Sequence, residues 1–463
     1  MIPFRLKLIR RCALVVAMIG IAAAGMAQPA PDRDAISQLQ AALPERSLPG
    51  LDSLLRRALV NAPEVIMREW ALAEAEANTL VARAPMLPRL EAWANAGVTY
   101  EQRKETLDSN RTLEAVLYNV GFYQPVFHWG ALAQNYQIGK LRQAISERNI
   151  SETRRLLALD IRRRYFDLML AKNGLQIARQ NQTRAEEEYK QMEQLIADGV
   201  QAAGALDGPR RNLDIIRPEV RRQEVEYNML RESLLRLAGV TEADLDTLPE
   251  SLPPFGNLDA ALAALVNTQT IAISNNLAGL KDQIEVERLN YKIQKTRLYP
   301  KFGLSLSVTQ ENRSPDNNVL GPKSLITSWN AFGTVNWRIF DSQETKGLQL
   351  ASLNRLRALE VSRVQTEKQE GSEREAEALR LQLQWERLKN TELDLGRARG
   401  GLELTEHDFA NGWASSRAVE DTRAHLANVL QQTNAERAAF ASALAACLSN
   451  RGRDPAVTGG GNF

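Results

Sequence analysis

Residues 89–100 alternate between apolar and polar side chains. The even positions are apolar or aromatic throughout: Leu90, Ala92, Ala94, Ala96, Val98 and Tyr100. A period of two residues predicts a β-strand, because successive side chains of a strand point to opposite faces. After a charged connection at residues 101–111, the alternation returns at Val116, Tyr118, Val120, Phe122 and Val126. The two segments together predict a β-hairpin over residues 89–127.

This hairpin has two interpretations. Each arm is about as long as a tilted strand that crosses a bilayer. Aromatic residues also crowd its lower end, as in the interfacial girdle of a membrane barrel, namely Phe122, Tyr123, Phe127 and Trp129. The other interpretation is a half-buried hairpin of a soluble protein. The alternation of a single hairpin does not separate the two.

A helical pattern precedes the hairpin and leads directly into it. Residues 51–84 have apolar side chains at helical spacing, with a break at residues 61–63, where the chain reads Asn-Ala-Pro. Pro85 and Pro88 end this pattern, because proline cannot continue a helix and biases its predecessor towards extended geometry. Pro88 is therefore predicted to mark a helix-to-strand junction.

The segment after the hairpin predicts an unusually long helix. Residues 130–198 contain no proline, and a helix of that length measures roughly 100 Å. Its apolar residues recur every three or four positions between charges, as in a coiled coil. Gly199 ends the pattern, and a returning helix up to Gly239 completes a predicted helical hairpin at residues 130–239. Pro218 in the returning helix predicts a kink or a cost of about 3 kcal/mol.

The same order of predicted elements then occurs a second time. The first repeat covers residues 51–244, a proline-rich linker follows at 245–257, and the second repeat covers 258–449, with a helix, a β-hairpin at 301–341 and a helical hairpin at 343–449. Pro300 stands where Pro88 stood, and the second hairpin adds Trp329, Trp337 and Phe340 to the predicted aromatic girdle. Three landmark pairs are each 213 residues apart: Phe127 and Phe340, Gly199 and Gly412, Arg210 and Arg423. A constant offset between chemically different landmarks predicts duplication of one unit.

The two ends of the chain are predicted to lie outside these repeats. Basic residues precede an apolar run at 12–24, and small residues follow it. The run is shorter than the roughly 20 residues of a membrane-spanning helix, so residues 1–27 are predicted to be a secretory signal. Residues 28–50 are interpreted as a flexible lead-in and residues 450–463 as a disordered tail. Only Cys447 would remain after cleavage, which excludes an intramolecular disulfide.

Composition and motifs exclude several other functions. The formal net charge is +2 with both signs interspersed, so no nucleic-acid partner is expected. The three histidines have no metal-ligand spacing. No catalytic dyad, phosphate-binding loop or nucleophile elbow stands out. The chain is therefore predicted to be neither an enzyme nor a holder of a metal or cofactor.

The ordered set of motifs resembles the TolC-type outer-membrane efflux family. The matching stretches are residues 58–63, Leu87-Pro88, residues 165–168 and the two loops at 199–210 and 412–423. The resemblance implies a mainly α-helical homotrimer whose three subunits share a 12-stranded β-barrel in outer-membrane lipid. It also implies a periplasmic helical tunnel, or α-barrel, that meets a periplasmic adaptor and an inner-membrane transporter. The implied function is a passive channel for efflux or secretion.

Physical reasoning reaches part of this architecture without the family. Four strands cannot close a membrane barrel alone, because an open sheet edge in lipid leaves backbone groups unsatisfied. Subunits must therefore share the barrel. Two rival functions remain at this stage: a periplasmic coiled-coil adaptor or scaffold, which needs no bilayer-length strands, and a secreted hydrolase, which needs a catalytic site.

The family also implies a constriction at the periplasmic tip. Acidic residues from three subunits meet there, six and nine positions after the glycine of the second-repeat loop. Those positions are Ala418 and Asp421 in this chain, with Glu420 beside them. The first-repeat loop likewise has Ala205 at its sixth position. Asp421 is thus predicted to line a cation-selective constriction, and the alternative is a solvated carboxylate near a helix N-terminus.

Overall fold

The computed structural model describes residues 31–102, 110–241, 248–267, 274–313 and 324–458. The first half contains α1 (Pro31–Ala41), α2 (Pro44–Ser47), α3 (Pro49–Asn61), α4 (Pro63–Arg83), β1 (Arg89–Gln102), β2 (Asn110–Phe127), α5 (Ala131–Ala197) and α6 (Asp207–Ala238). The second half contains α7 (Asp259–Asn267), α8 (Asn275–Lys295), β3 (Lys301–Arg313), β4 (Ser324–Asn336), α9 (Glu344–Ala410), α10 (Ser416–Asn450) and α11 (Pro455–Thr458). Helices, strands and helical hairpins thus follow each other in the same order twice.

The long helices confirm the predicted fold class. Helices α5 and α9 have 67 residues each, so each is roughly 100 Å long. Each turns at a glycine and returns as α6 or α10. Helix α6 continues through Pro218, so this proline does not end it. Within the described residues, no helix is both long and apolar enough to cross a bilayer.

The four strands form one antiparallel sheet in the order β1-β2-β3-β4. Its register pairs Ala92 with Val120, Val120 with Val308, and Val308 with Trp329. The apolar positions of both hairpins therefore share one face of the sheet. The polar positions share the other face, where the Asn119 amide donates to the Thr309 hydroxyl at 2.7 Å.

Each hairpin is connected to its long helix by two residues with a left-handed backbone conformation. Trp129 and Gly130 have φ angles of 54° and 79°, and Ser342 and Gln343 have φ angles of 50° and 71°. The two pairs are 213 residues apart in the sequence. Only the first pair includes a glycine, which adopts this conformation without strain. Duplication therefore extends to the backbone conformation of the junction.

The helices form a single layer in two storeys, one next to the sheet and one farther from it. Near the sheet, the neighbours are α4 with α5, α5 with α8, and α8 with α9. Away from the sheet, they are α6 with α5, α5 with α10, and α10 with α9. Both storeys thus begin with a helix of the first repeat and end with α9.

Two apolar clusters fill the middle of the molecule, where the storeys meet. One cluster joins α3 to α5 and the ends of α6 and α10, with Leu51, Leu54, Phe166 and Leu234 among its buried members. The other joins α1 and α7 to α9 and α10 around Trp385 and Phe440, whose rings lie 5.0 Å apart. These clusters fix the short helices onto the long ones.

The interpretation of residues 28–50 as a flexible lead-in is wrong for its described part. Residues 31–47 form α1 and α2, and Leu39, Leu43 and Leu48 are buried. The prolines that suggested a loop occupy the first turns of α2 and α3, where proline is favourable because the missing N–H has no helical partner in any case.

The interpretation of residues 450–463 as a disordered tail is also wrong for residues 450–458. Helix α10 includes Asn450, and α11 follows. Between them Asp454, which is buried, accepts two hydrogen bonds from Arg162 of α5, at 2.6 and 2.9 Å. Glu45 of α2 forms a second ion pair with the same guanidinium. One buried arginine therefore binds both ends of the chain.

Other predicted boundaries change by small amounts. The second hairpin ends at Asn336 rather than at residue 341, and residues 337–340 extend from it towards α9. The linker packs against the core through Leu248 and Leu252, which are buried. The predicted signal at 1–27 and residues 459–463 lie outside the described residues.

Candidate functional site

The end of the helical layer farthest from the sheet consists of two turns with the same geometry. Gly199 and Gly412 have φ angles of 73° and 76°. The N–H after each glycine donates to the carbonyl five residues earlier, from Val200 to Leu195 at 2.9 Å and from Trp413 to Asp408 at 2.8 Å. This bonding satisfies carbonyls that a helix end leaves free. The two turns form the tip of the molecule.

Helix α10 begins directly after the second turn. The Ser415 side chain caps it by accepting from the Ala418 N–H at 3.2 Å. Val419 is buried, whereas Glu420 and Asp421 are exposed. Because successive residues of a helix are separated by about 100°, Asp421 lies on the side of α10 opposite Val419. The structure thus places Asp421 on the free face of the helix, and Glu420 lies between the two faces.

The other predicted tip residues make few polar contacts. Arg423 forms an exposed ion pair with Glu406 of α9 at 2.7 Å, a contact whose expected contribution is at most about 1 kcal/mol. Arg210 is the equivalent residue of the first repeat and is exposed. Ala205 lies in a short 3-10 turn at residues 203–206 and, like Ala418, is half-buried. Small apolar side chains therefore occupy both sixth positions.

Sequence reasoning missed the apolar side chains of the tip. Trp413 is 79% exposed, and Phe409 and Val200 are also exposed. An exposed tryptophan is unusual in a turn between charged helices. The signal was present in the sequence, because Trp413 follows Gly412 directly in an otherwise polar stretch.

The sheet has an apolar face without a protein neighbour in the described chain. Val120 is 46% exposed and Leu306 is 41% exposed, although they lie at the centre of the sheet. On the opposite face, the Tyr123 ring lies over Gly303, where a Cβ atom would come within 2.8 Å of the ring. That glycine is needed for close packing of the tyrosine.

Most of the predicted aromatic girdle lies at the helix-proximal end of the sheet. Phe127 and Trp129 stack edge to face with centroids 4.9 Å apart. The indole N–H of Trp129 donates to the Pro300 carbonyl at 2.8 Å, and that of Trp337 donates to the Leu298 carbonyl at 3.0 Å. These bonds tie the aromatic side chains to the helix-to-strand junction before β3.

Three girdle residues do not fit a single ring. Trp329 pairs with Val308 in the middle of the sheet, so it is not at the helix-proximal end. Phe122 and Tyr123 are consecutive in β2, and consecutive strand residues point to opposite faces. Tyr123 lies on the polar face, so only Phe122 of these two belongs to the apolar face. Phe340 is exposed beyond the end of β4.

A family model described as outer membrane efflux protein matches residues 54–239 and 268–448, which is more than half of the chain. The chain belongs to this family. The resemblance predicted from the sequence is therefore confirmed, and the protein is assigned to the outer membrane. A periplasmic adaptor is not favoured, and both the family and the fold are those of channel proteins.

Solved structures of outer-membrane channels share this fold. The CmeC channel of Campylobacter jejuni superposes with a TM-score of 0.70 at 14% identity, covering 88% of this chain and 86% of that one. The open state of the MtrE channel of Neisseria gonorrhoeae gives a TM-score of 0.64 at 13% identity, covering 88% and 89%. At such low identity, these matches show the fold alone.

Two relatives with similar sequences are named as outer-membrane proteins. The pyoverdine export outer membrane protein OpmQ of Pseudomonas aeruginosa is 23% identical over 282 residues, and the match spans 58% of each protein. The probable outer membrane lipoprotein SilC of Salmonella typhimurium is 22% identical over 376 residues, and the match spans 76% of each. The chain thus aligns with less than two thirds of the first of these efflux proteins.

The chemistry of the described residues is consistent with a conduit. Within them, no group of three histidine, cysteine or acidic side chains is arranged to hold a metal ion. Cys447 is buried, and burial raises the pKa of its thiol, which opposes formation of a reactive thiolate. The exposed features of the described structure are the two faces of the sheet, the edges of the helical layer and the tip.

Proposed function

We propose that three copies of this chain close into one continuous wall and form a passive exit duct through the outer membrane. A periplasmic adaptor and an inner-membrane transporter would deliver cargo to its tip. The main observation behind this proposal is that both edges of the protomer are unpaired, in the sheet and in each of the two storeys of helices. One edge consists of first-repeat elements, and the other consists of second-repeat elements.

The unpaired edges of the sheet and of the two storeys lie in the same two parts of the chain. The sheet ends at β1 and β4, the storey next to it at α4 and α9, and the tip storey at α6 and α9. A strand edge in lipid must find a partner, because its backbone groups have no water to bind. Pairing β4 of one copy with β1 of the next also brings α9 against α4 and α6 of that neighbour. Three such contacts give the 12 strands that the resemblance implies.

Exposed apolar residues on α6 and α9 match this contact. Ile215 and Val225 of α6 are exposed on the side away from α5, and Leu404 and Leu393 of α9 are exposed on the side away from α10. Counted along each helix from the tip at about 1.5 Å per residue, Ile215 and Leu404 both lie roughly 10 Å from the tip turns. Val225 and Leu393 both lie roughly 26 Å from them. The two stripes can therefore pack against each other between neighbouring copies.

We expect the protein to fractionate with the outer membrane and to form trimers in detergent. Leu393→Lys should increase the monomer fraction strongly, because each of three contacts would bury an unpaired ammonium group. Native mass spectrometry of the detergent-solubilised protein measures the trimer fraction. Leu393→Met is the matched control, because it conserves volume and apolar character, and it should remain trimeric. A monomer in the soluble periplasmic fraction, without any need for detergent, would exclude the proposal.

The exposed carboxylate of Asp421 supports a charged constriction at the tip. Three symmetry-related carboxylates would attract cations, since two unit charges about 6 Å apart interact by about 0.7 kcal/mol even in water. We expect Asp421→Asn to lower cation selectivity in planar-bilayer recordings without changing trimer stability. Glu420→Gln is the matched control, because it removes the same charge from a different side of α10. Equal reversal potentials for Asp421→Asn and the parent protein would show that Asp421 does not line the pore.

The tip also offers a surface for the adaptor. Trp413, Phe409 and Val200 expose apolar area at the two tip turns, and exposed large apolar side chains in one region favour a protein-interaction site. Their position at the two turns favours an end-on contact with a partner in the periplasm.

A further inference from the structure

A polar cavity lies in the middle of the helical layer, far from the sheet and the tip. It has a volume of about 570 Å³, is partly open to solvent, and is lined by α5, the first residues of α8, the centre of α9 and the end of α10. The residues that matter for its chemistry are Arg155, Glu370, Glu373, Glu377, Ser449 and Asn450. None of them belongs to the tip or to the exposed edges of the protomer described above.

Hydrogen bonds between distant parts of the chain hold the wall of this cavity in place. The Asn450 side chain accepts from Arg155 at 2.6 Å and donates to Glu377 at 2.5 Å. Ser274, the N-cap of α8, donates to Glu370 at 2.5 Å. The wall is therefore an ordered polar structure built from four helices.

The charges of the wall do not balance. Glu370 pairs with Arg374, and Glu152 pairs with Arg155. Glu373 and Glu377 follow each other by one helical turn, so their side chains lie on the same face of α9. Among the described residues, neither of these two forms a salt bridge, and Glu373 accepts a hydrogen bond from Gln369 at 2.8 Å. Neither carboxylate is thus held in an ion pair, although Glu373 is exposed and the charges of Arg451 and Arg155 act on Glu377.

A second observation indicates a missing hydrogen-bond partner. Ser449 lines the cavity and is only 3% exposed, and its hydroxyl has no partner within the described chain. The same is true of the second carboxylate oxygen of Glu377. Leaving a buried polar group unpaired costs about 1–3 kcal/mol, so a donor is expected at this place. Burial raises the pKa of the Glu377 carboxyl by more than the hydrogen bond from Asn450 and the charges of Arg451 and Arg155 lower it.

The arrangement fits an ammonium group better than a metal ion. Divalent calcium requires six to eight oxygen ligands and magnesium an octahedral set, and the described residues contain no metal-binding group of three acidic or histidine side chains. An ammonium group has three N–H donors and no acceptor, which matches two carboxylates and a hydroxyl. We propose that this cavity binds the primary ammonium group of a small organic cation, such as a polyamine. The proposal is independent of the channel function.

Isothermal titration of the full-length detergent-solubilised protein with spermidine tests this site. We expect saturable binding of one spermidine per protomer, and at least about tenfold weaker binding by the double variant Glu373→Gln/Glu377→Gln. Glu375→Gln is the matched control, because it removes a carboxylate from a position of the same helix that does not line the cavity and should bind as the parent does. Ser449→Ala should weaken binding less than the double variant does, because it removes one neutral hydrogen-bond partner.

Three results would overturn the proposal. The first is an absence of saturable spermidine binding by the parent protein while its trimer is intact. The second is equal affinity of the parent and the double variant, with circular dichroism showing both to be folded. The third is binding of magnesium ions that competes with spermidine at the same carboxylates, which would make the cavity a metal site. The trimer fraction, measured in parallel, separates these outcomes from a failure of the proposed channel.

Discussion

An arginine at Val120 is expected to prevent assembly of the trimer in the membrane. Val120 lies at the centre of the sheet on its apolar face, between Ala92 and Val308 in the neighbouring strands. In the proposed barrel this face contacts lipid, where an arginine near the midplane costs about 2–4 kcal/mol. Three copies would incur this cost in one barrel. The heat-stable trimer band of outer-membrane extracts measures the effect, and we expect it to be lost or strongly reduced.

The neighbouring residue provides the matched control. Asn119 lies on the polar face, and its replacement by arginine would lose the hydrogen bond to Thr309, worth about 1 kcal/mol. The second hairpin repeats the comparison, with Leu306 on the apolar face and Ser305 on the polar face. We expect arginine at Leu306 to impair assembly and arginine at Ser305 to be tolerated. Equal assembly of all four variants would show that the two faces are assigned wrongly.

The sequence predicted the sheet and the long helices because their signals are local and periodic. A period of two at residues 89–100 and a proline-free run after Gly130 specify each element without knowledge of its partner. The internal repeat then provided the same signals a second time, since landmarks such as Gly199 and Gly412 are separated by the same 213 residues. Periodicity also fixes the faces of a strand, which is why the apolar positions of both hairpins were correctly assigned to one side.

The ends of the chain could not be predicted in the same way. Pro44 and Pro49 read as loop signals in the sequence but start helices in the structure. Asp454 looks like an ordinary tail residue, because its partner Arg162 lies 292 positions away. Long-range pairing of this kind leaves no periodic trace, so only the folded structure reveals it.

The two glycine turns were predicted from the sequence, and the role of Asp421 in a constriction stays a prediction. The glycine turns and Asp421 followed from spacing and resemblance, and the structure places Asp421 on the free face of α10. The exposed aromatic residues Trp413 and Phe409 were overlooked, because an aromatic residue in a helical pattern is usually assigned to a core. The central cavity was also overlooked, because Glu373 and Glu377 have the spacing of a solvated helix face in the sequence. Only the fold places them in one cavity with Ser449.

Arg162 is expected to be the side chain whose loss destabilises the protomer most. It is 1% exposed, and it pairs with Asp454 at 2.6 Å and also with Glu45. Burial alone would lower the pKa of its guanidinium, but hydrogen bonds and charges from the two carboxylates outweigh burial, and the net shift is upward. Arg162→Met would remove the cation that both carboxylates bind. Removal of one partner from a buried ion pair typically costs about 3–5 kcal/mol.

This loss should be visible at both ends of the chain. We expect Arg162→Met to lower the thermal midpoint of the detergent-solubilised protein and to expose residues 31–48 and 450–458 to limited proteolysis, because Glu45 and Asp454 would no longer be tied to α5. Arg163→Met is the matched control, since Arg163 is adjacent, exposed and equally charged. Adding Glu45→Gln and Asp454→Asn to Arg162→Met should restore part of the stability, because neutral side chains are less costly to bury than unpaired charges. If Arg162→Met and Arg163→Met melted and were cleaved alike, the ion triad would not be what holds the two ends of the chain.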